Sequence, residues 1–198
     1  MTHKILHIDS SINAGNSVSK GLTQSIVDRL QAAHADTSVT YRDLGTATLG
    51  EIDGAWLAAV HTPEGARDGT QAEAATLADK LVAEVQDADT IVIGLPVYNF
   101  AAPSQLKDWI DHIARAGVTF SYGENGPEGL IKGTRAIVAY SSGGTPFGSD
   151  YDYASGYIRH VLGFIGITDV QFVVADKGAV DAEASLKAAN EDIANLAA

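Results

Sequence analysis

The sequence predicts a doubly wound, three-layer α/β sandwich built on one five-stranded parallel sheet in the order 2-1-3-4-5. Two observations carry this expectation. Strand-like apolar runs alternate with helix-like patterns along the whole chain, and the later runs are nearly continuous, as in strands buried on both faces. Right-handed crossovers between parallel strands then place helices on both sides of the sheet. A chain of 198 residues, 45% of them hydrophobic, suffices for one well-buried core and is short for two, so residues 1–198 are expected to form a single domain.

The elements follow in order. Ile5 to Ile8 reads as the first strand and Ser19 to Ala33 as the helix after it. Val39 to Tyr41 is the second strand, followed by a helix over Gln71 to Val85. The apolar run Thr90 to Gly94 is the third strand and leads into the helix Pro103 to Ala114. Ala136 to Tyr140 and Tyr157 to Ile165 form the fourth pair, and Val170 to Ala175 with Ala182 to Leu196 the fifth. Each strand is rich in Ile, Val or Tyr. Two intervals exceed ordinary strand-to-helix loops. Gly45 to Gly69 holds a short helical piece around Trp56 and is expected to project from the ligand end of the sheet; Gly117 to Gly133 is turn-rich, with a reversal at Asn125-Gly126-Pro127.

Composition narrows the function classes. There are no cysteines, which excludes a disulfide framework, a thiolate metal site, a Cys nucleophile and a dithiol couple. Any electron transfer must therefore use a cofactor. The formal charge of -12 repels nucleic acid and anionic membranes and favours a small-molecule partner. Met1-Thr-His-Lys runs directly into a strand, and no apolar run approaches the ~18 residues that span a bilayer, so the cytoplasm is the expected location.

In an open parallel sheet, ligands bind beyond the carboxyl ends of the strands, and the order 2-1-3-4-5 is the flavodoxin-like one, with FMN at the switch point between strands one and three. Three loops fit that position. After strand one, Ser11, Asn13, Asn16, Ser17, Val18 and Ser19 lead straight into a helix, where hydroxyls and free N–H groups make a phosphate cradle without Lys or Arg. A lone serine there is an N-cap, but three hydroxyls and two amides in one loop favour the cradle. After strand three comes Pro96-Val97-Tyr98-Asn99-Phe100, an aromatic and amide surface suited to a flat ring with polar edges. After strand four, Ser141-Ser142-Gly143-Gly144 lets backbone amides approach a ligand edge.

Other patterns are absent or weak. Neither the dinucleotide G-x-G-x-x-G nor the nucleotide G-x-x-x-x-G-K-[ST] loop is present, so a monophosphate suits the cradle better than a dinucleotide or ATP. The hydrolase elbow G-x-S-x-G fails around Ser17 at its second glycine. His3, His7, His34, His61, His112 and His160 lack metal-ligand spacing, so no metal is expected. Asp150-Tyr151-Asp152 begins like a calcium loop but lacks its later ligands and reads as a turn entering a helix.

Taken together, Ser10-Ser11-Ile12-x-Ala14-Gly15-x-Ser17-x-Ser19, Pro96-x-Tyr98-Asn99-Phe100, Ala114-Arg115-Ala116-Gly117-Val118-Thr119-Phe120, the run Glu124 to Leu130, and Gly163-Phe164-Ile165-Gly166-Ile167-Thr168-Asp169 resemble the FMN-dependent NADH-azoreductase family, also described as NADH:quinone oxidoreductases. The likeness covers almost the whole length and is least between Glu51 and Gly69. It implies a flavodoxin-like fold with bound FMN and NADH as co-substrate. Ser11 and Ser17-Val18-Ser19 match the family's phosphate-binding residues, Val97, Tyr98, Asn99 and Phe100 its ring-contacting loop, and Ser141, Ser142, Gly143 and Gly144 the loop at the other ring edge. Val97 stands where the family commonly has Met. The resemblance further implies a homodimer with sites at the interface, where Phe120, Tyr122 and Phe164 line a shared substrate pocket. Its chemistry is hydride transfer through the FMN N5, with no catalytic side chain, in a ping-pong scheme that reduces quinones and cleaves aromatic azo compounds to amines. The alternative is an FMN electron carrier or redox sensor without NADH oxidoreductase activity, which the acidic surface also suits; a flavin-free hydrolase is a third reading.

Overall fold

The computed structural model describes residues 2–13, 15–124 and 126–197. Its strands are β1 (His3–Asp9), β2 (Thr37–Asp43), β3 (Thr90–Pro96), β4 (Phe120–Gly123), β5 (Gly126–Gly129), β6 (Arg135–Ser141) and β7 (Val170–Ala175). Its helices are α1 (Val18–Ala33), α2 (Gly54–His61), α3 (Gly69–Asp87), α4 (Ser104–Ile113), α5 (Tyr153–Ile165) and α6 (Ala182–Asn195). The main sheet runs β2-β1-β3-β6-β7 with every pairing parallel, which is the predicted order once the hairpin strands β4 and β5 are set aside. This is the flavodoxin-like sandwich.

Alternation along each strand divides the core between the two faces. Ile5, Val92, Ile137 and Val173 point towards α1 and α6 and pack with Leu22, Ile26, Leu30, Ala189 and Ile193. Leu6, Ile91, Ile93 and Val138 point the other way, against Leu81 and Val85 of α3, Leu106 and Trp109 of α4, and Ile158 and Leu162 of α5. β3 is buried at every position, so its uninterrupted apolar run is the consequence of lying mid-sheet with helices on both sides. Emptying a fully buried site of the helical layer, for example by Leu106→Ala in α4, would cost about 2–5 kcal/mol.

Local chemistry explains where the observed elements depart from the expected ones. α5 begins at Tyr153 rather than Tyr157, because the Asp152 side chain accepts from the N–H groups of Ala154 and Ser155 and starts the helix within a polar stretch. The interval 45–69 does not project from the ligand end. Asp53 caps α2, which lies along α3, and Trp56 meets His112 of α4 edge-on at 5.5 Å. Arg67, in turn, bonds the carbonyls of Ala59 and Thr62 and pairs with Asp79 of α3. These contacts fold the insertion flat against the helical layer. The turn-rich interval 117–133 forms the antiparallel hairpin β4–β5, with Phe120 opposite Gly129 and Gly123 opposite Gly126. Of the predicted reversal, Asn125 lies outside the described residues, while Pro127 is already in β5 opposite Tyr122.

Candidate functional site

The site begins where β1 ends. Ser10 Oγ donates to the Gly94 carbonyl at 2.7 Å, tying the first loop to β3. The Tyr98 hydroxyl lies 3.2 Å from Ser11 Oγ and accepts from the Ile12 N–H at 3.3 Å, so the first and third loops are joined side by side. Ser17 is the N-cap of α1: its hydroxyl accepts from Lys20 N and lies 3.2 Å from Ser19 Oγ. The N–H groups of Val18 and Ser19, in the first turn, have no intrahelical acceptor, and no acidic residue stands in that turn. Helix N-termini of this kind attract anions. Lys20, one turn in, directs its ammonium away to Asp43 at 2.6 Å.

Beneath this loop lies Asp9, 2% exposed. Burial works to raise its pKa, but His7 Nε2 at 3.6 Å and the hydroxyls of Thr23 at 2.7 Å and Tyr41 at 3.0 Å outweigh it, holding the carboxyl below the usual carboxylate range. Burial and the Asp9 charge in turn push the Tyr41 phenol up.

The third loop makes a tight reversal. Tyr98 and Ala101 exchange N–H and carbonyl bonds at 3.0 and 3.1 Å across Asn99 and Phe100, whose φ angles are 49° and 71°. Positive φ at both central residues is the mark of a type I′ turn, which prefers Asn-Gly; a Phe in the second place holds strain and faces its ring outward, 52% exposed. The fourth loop is joined to β3 by the bond from Val97 N to the Ser141 carbonyl at 2.8 Å. Ser142 Oγ and the Tyr140 hydroxyl both donate to the Thr145 carbonyl, and burial followed by the Asp152 charge pushes the Tyr140 phenol up to about 12. The N–H groups of Gly178 and Ala179 donate to the carbonyls of Ser142 and Gly143, which brings the loop after β7 alongside.

A cavity of 320 Å³ lies among these loops, within the range of small-molecule sites. Ser11, Ser17, Val18, Val97, Tyr98, Ser141, Ser142 and Gly143 of the predicted set line it, together with Asn13, Asn16 and Pro96. Ser19 is buried beside it with its hydroxyl on Ser17, while Asn99, Phe100 and Gly144 stand outside the lining. Sequence reasoning missed Ala175, Gly178, Ala182, Ser185 and Leu186, which close the cavity from the end of β7, the loop after it and α6. The signal was available: Asp176-Lys177-Gly178 follows the fifth strand end, and the rule that ligands gather beyond strand ends applies there too. Among the described residues, no Asp, Glu, His, Lys or Arg lines the cavity. It offers an anion cradle at one end and an apolar, hydroxyl-edged slot, but no charged general acid or base.

Phe120, Tyr122 and Phe164 also come together, but elsewhere. Phe120 packs on Phe164 at 4.4 Å and meets Tyr122 edge-on at 5.6 Å. α5 starts beside the third loop, where Tyr153 N bonds the Phe100 carbonyl, and carries Phe164 to its far end, next to the start of β7. The cluster therefore lies at the amino-terminal edge of the sheet, away from the cavity of the same chain, with Tyr122 75% exposed.

Residues 3–197 match the family model described as a flavodoxin-like fold, which defines the class of protein. Relatives extend the match. The chain is 57% identical to an FMN-dependent NADH:quinone oxidoreductase 1 of Jannaschia sp. (strain CCS1), over 198 residues and 100% of both chains. It is 54% identical over 194 residues, 98% of each chain, to an FMN-dependent NADH:quinone oxidoreductase of Cereibacter sphaeroides (strain KD131 / KCTC 12085). Among solved structures, an FMN-dependent NADH-azoreductase from Bacillus anthracis str. Ames Ancestor in complex with FMN superposes with a TM-score of 0.86 at 27% identity, covering 96% of this chain and 95% of that one. The chain belongs to the flavodoxin-like family of FMN-dependent NADH:quinone oxidoreductases and azoreductases.

Proposed function

We propose that this chain binds FMN in the cavity beyond β1, β3 and β6 and uses NADH to reduce quinones and to cleave aromatic azo compounds to amines. The observation that carries this reading is the cavity's chemistry: an anion cradle joined to an apolar slot with no charged side chain among the described residues that line it. A phosphate fits the N-terminus of α1, where Ser11, Ser17, Val18 and Ser19 would hold it, and a flat ring fits between Val97–Phe100 and Ser141–Gly144. The chemistry FMN supplies when bound is hydride acceptance and donation at one ring position, so NADH and the acceptor use one place in turn, a ping-pong scheme. The chain's own work is to hold the ring, exclude water and aim N–H dipoles at its edge. Val97, packed against the core beneath the slot, replaces the family's commoner Met with a shorter side chain.

The reading includes a homodimer. Tyr122, with Phe120 and Phe164, faces solvent at the end of the chain opposite its own cavity, and a second copy gives that aromatic face a cavity to cover. Small quinone or azo substrates, not nucleic acid or membranes, suit the charge of -12, and the cytoplasm suits an enzyme fed by NADH. No helix among the described residues is long and apolar enough to cross a membrane.

Steady-state rates with NADH and benzoquinone varied together test the scheme. Parallel double-reciprocal lines are expected. Intersecting lines would mean that both substrates bind at once, and no NADH-dependent turnover would leave an FMN carrier or redox sensor as the function.

A further inference from the structure

The loop from Thr145 to Tyr153, directly after the Ser141–Gly144 segment, takes no part in the cavity lining, yet it is firmly built. The Thr145 carbonyl accepts from Tyr140 and Ser142, Phe147 packs between Tyr140 and Phe172, and Phe147 N donates to Asp176. Asp152 accepts from the N–H groups of Gly148, Ala154 and Ser155 and from the Ser155 hydroxyl, and those bonds outweigh its partial burial to hold it below the usual carboxylate range. This rigid frame presents Tyr151 and Tyr153 to solvent, 45% and 65% exposed. Tyr151 meets the strained Phe100 ring edge-on at 6.1 Å and 88°, and Tyr153 N holds the Phe100 carbonyl at 3.1 Å.

Phe100 and Tyr151 thus stand half-exposed in edge-on contact beside the site, and Tyr153, exposed two residues on, has its backbone tied to Phe100. Fixed, adjacent apolar surface of this kind marks a binding surface. Its rim carries one exposed carboxylate, Asp150, next to Tyr151 in the chain, while the Asp152 carboxylate is engaged as the cap of α5. Aromatic faces bind planar rings, and carboxylates alongside oppose a negative charge on them.

We infer that Tyr151 and Tyr153, with Phe100, form the wall that receives the electron acceptor, and that this wall selects fused-ring, uncharged or cationic acceptors over single-ring and anionic ones. The inference rests on the oxidoreductase reading and names its substrate class. Tyr151 lengthens the aromatic surface beyond Phe100, so a two-ring quinone gains contacts that a one-ring quinone lacks. Asp150 is the exposed charge nearest that extension in sequence, so it sets the discrimination by charge.

The test compares KM values of the FMN-loaded enzyme for menadione, benzoquinone and 1,2-naphthoquinone-4-sulfonate. Tyr151→Ala is expected to raise the menadione-to-benzoquinone KM ratio about threefold to tenfold, the effect of losing one aromatic pair, and Tyr151→Phe to restore it. Asp150→Asn is expected to lower the KM for the sulfonate relative to menadione about twofold to fivefold at low salt, with the difference fading as salt is added. Bleaching of bound FMN by NADH, before any acceptor is added, is recorded for each protein. If the wild type does not bleach, the oxidoreductase reading fails and the wall with it. Bleaching in the wild type with an unchanged KM ratio in Tyr151→Ala would overturn the wall alone. Loss of bleaching in Tyr151→Ala would assign Tyr151 to the cofactor or NADH and equally overturn it.

Discussion

Gly45 lies so close to Ser11 that a Cβ placed on it would stand 2.0 Å from the Ser11 carbonyl oxygen. The start of the loop after β2 therefore supports the turn that sets Ser11 against Tyr98, and only glycine leaves room for it. Gly45→Ala must displace backbone rather than a side chain. It is expected to destabilise the apoprotein by about 1–3 kcal/mol, the usual cost of overpacking, and to weaken FMN binding at least ~10-fold. Urea unfolding and quenching of FMN fluorescence measure the two effects.

The turn at Asn99-Phe100 has a separable cost. Phe100 holds φ of 71° in a place that favours glycine, so Phe100→Gly relieves strain in the folded chain. Its urea midpoint should rise by the equivalent of up to about 1 kcal/mol, because added freedom in the unfolded chain offsets part of the relief. Azo and quinone turnover should fall in the same protein, since the ring at the mouth of the site is gone. A more stable and equally active variant would show that the strained ring has no role.

Much of this architecture was legible in the amino acids, and the reasons are specific. β3 is buried at all positions, so its apolar run is continuous, and β7 was bounded correctly by Val170 and Ala175. The edge strand β2 is mostly exposed and extends from Thr37 to Asp43, beyond the three residues its polar pattern revealed. The place of α2 was not legible, because it depends on long-range contacts, Trp56 with His112 and Arg67 with Asp79. At the site, each cluster of hydroxyl and small residues marked a strand end, whereas Ala182, Ser185 and Leu186 sit on a helix among ordinary residues, and only the fold brings them to the cavity.

Stability should depend on pH in two stages. Burial, then the charge of His34 stacked on it at 4.1 Å, holds the His3 pKa below its ordinary value. The folded protein then binds this proton less readily than the unfolded chain, so stability declines as pH falls below about 6.5 towards the lowered value. Asp9, Asp79 and Asp152 are also held low: burial opposes this in each, but hydrogen bonds outweigh it, for Asp79 those from Arg67 and Arg115. Their contribution is full above the unfolded carboxylate value, about 3.9, and is lost as pH falls through the folded values. Urea midpoints should be level above pH 7, decline gently from about 6.5 and fall steeply below about 4. His3→Gln should remove the first stage and keep the second.

Gly129 bears on the proposed homodimer. A Cβ there would lie 2.1 Å from Gly166 N, so this contact seats the β4–β5 hairpin on the end of α5 and orders Phe120, Tyr122 and Phe164. Gly129→Ala is expected to weaken self-association and turnover together, while FMN affinity stays within about twofold because the cavity lies at the other end of the chain. Sedimentation velocity beside an FMN titration checks this. An unchanged dimer with full activity would remove the hairpin from the interface.

The most direct measurement is an anaerobic absorbance titration of the FMN-loaded protein with NADH, followed by benzoquinone in the same cuvette. Bleaching of the flavin band by about one equivalent of NADH, then its full return on adding the quinone, is the predicted result. A band that NADH leaves untouched, or apoprotein that retains no FMN, would contradict the account.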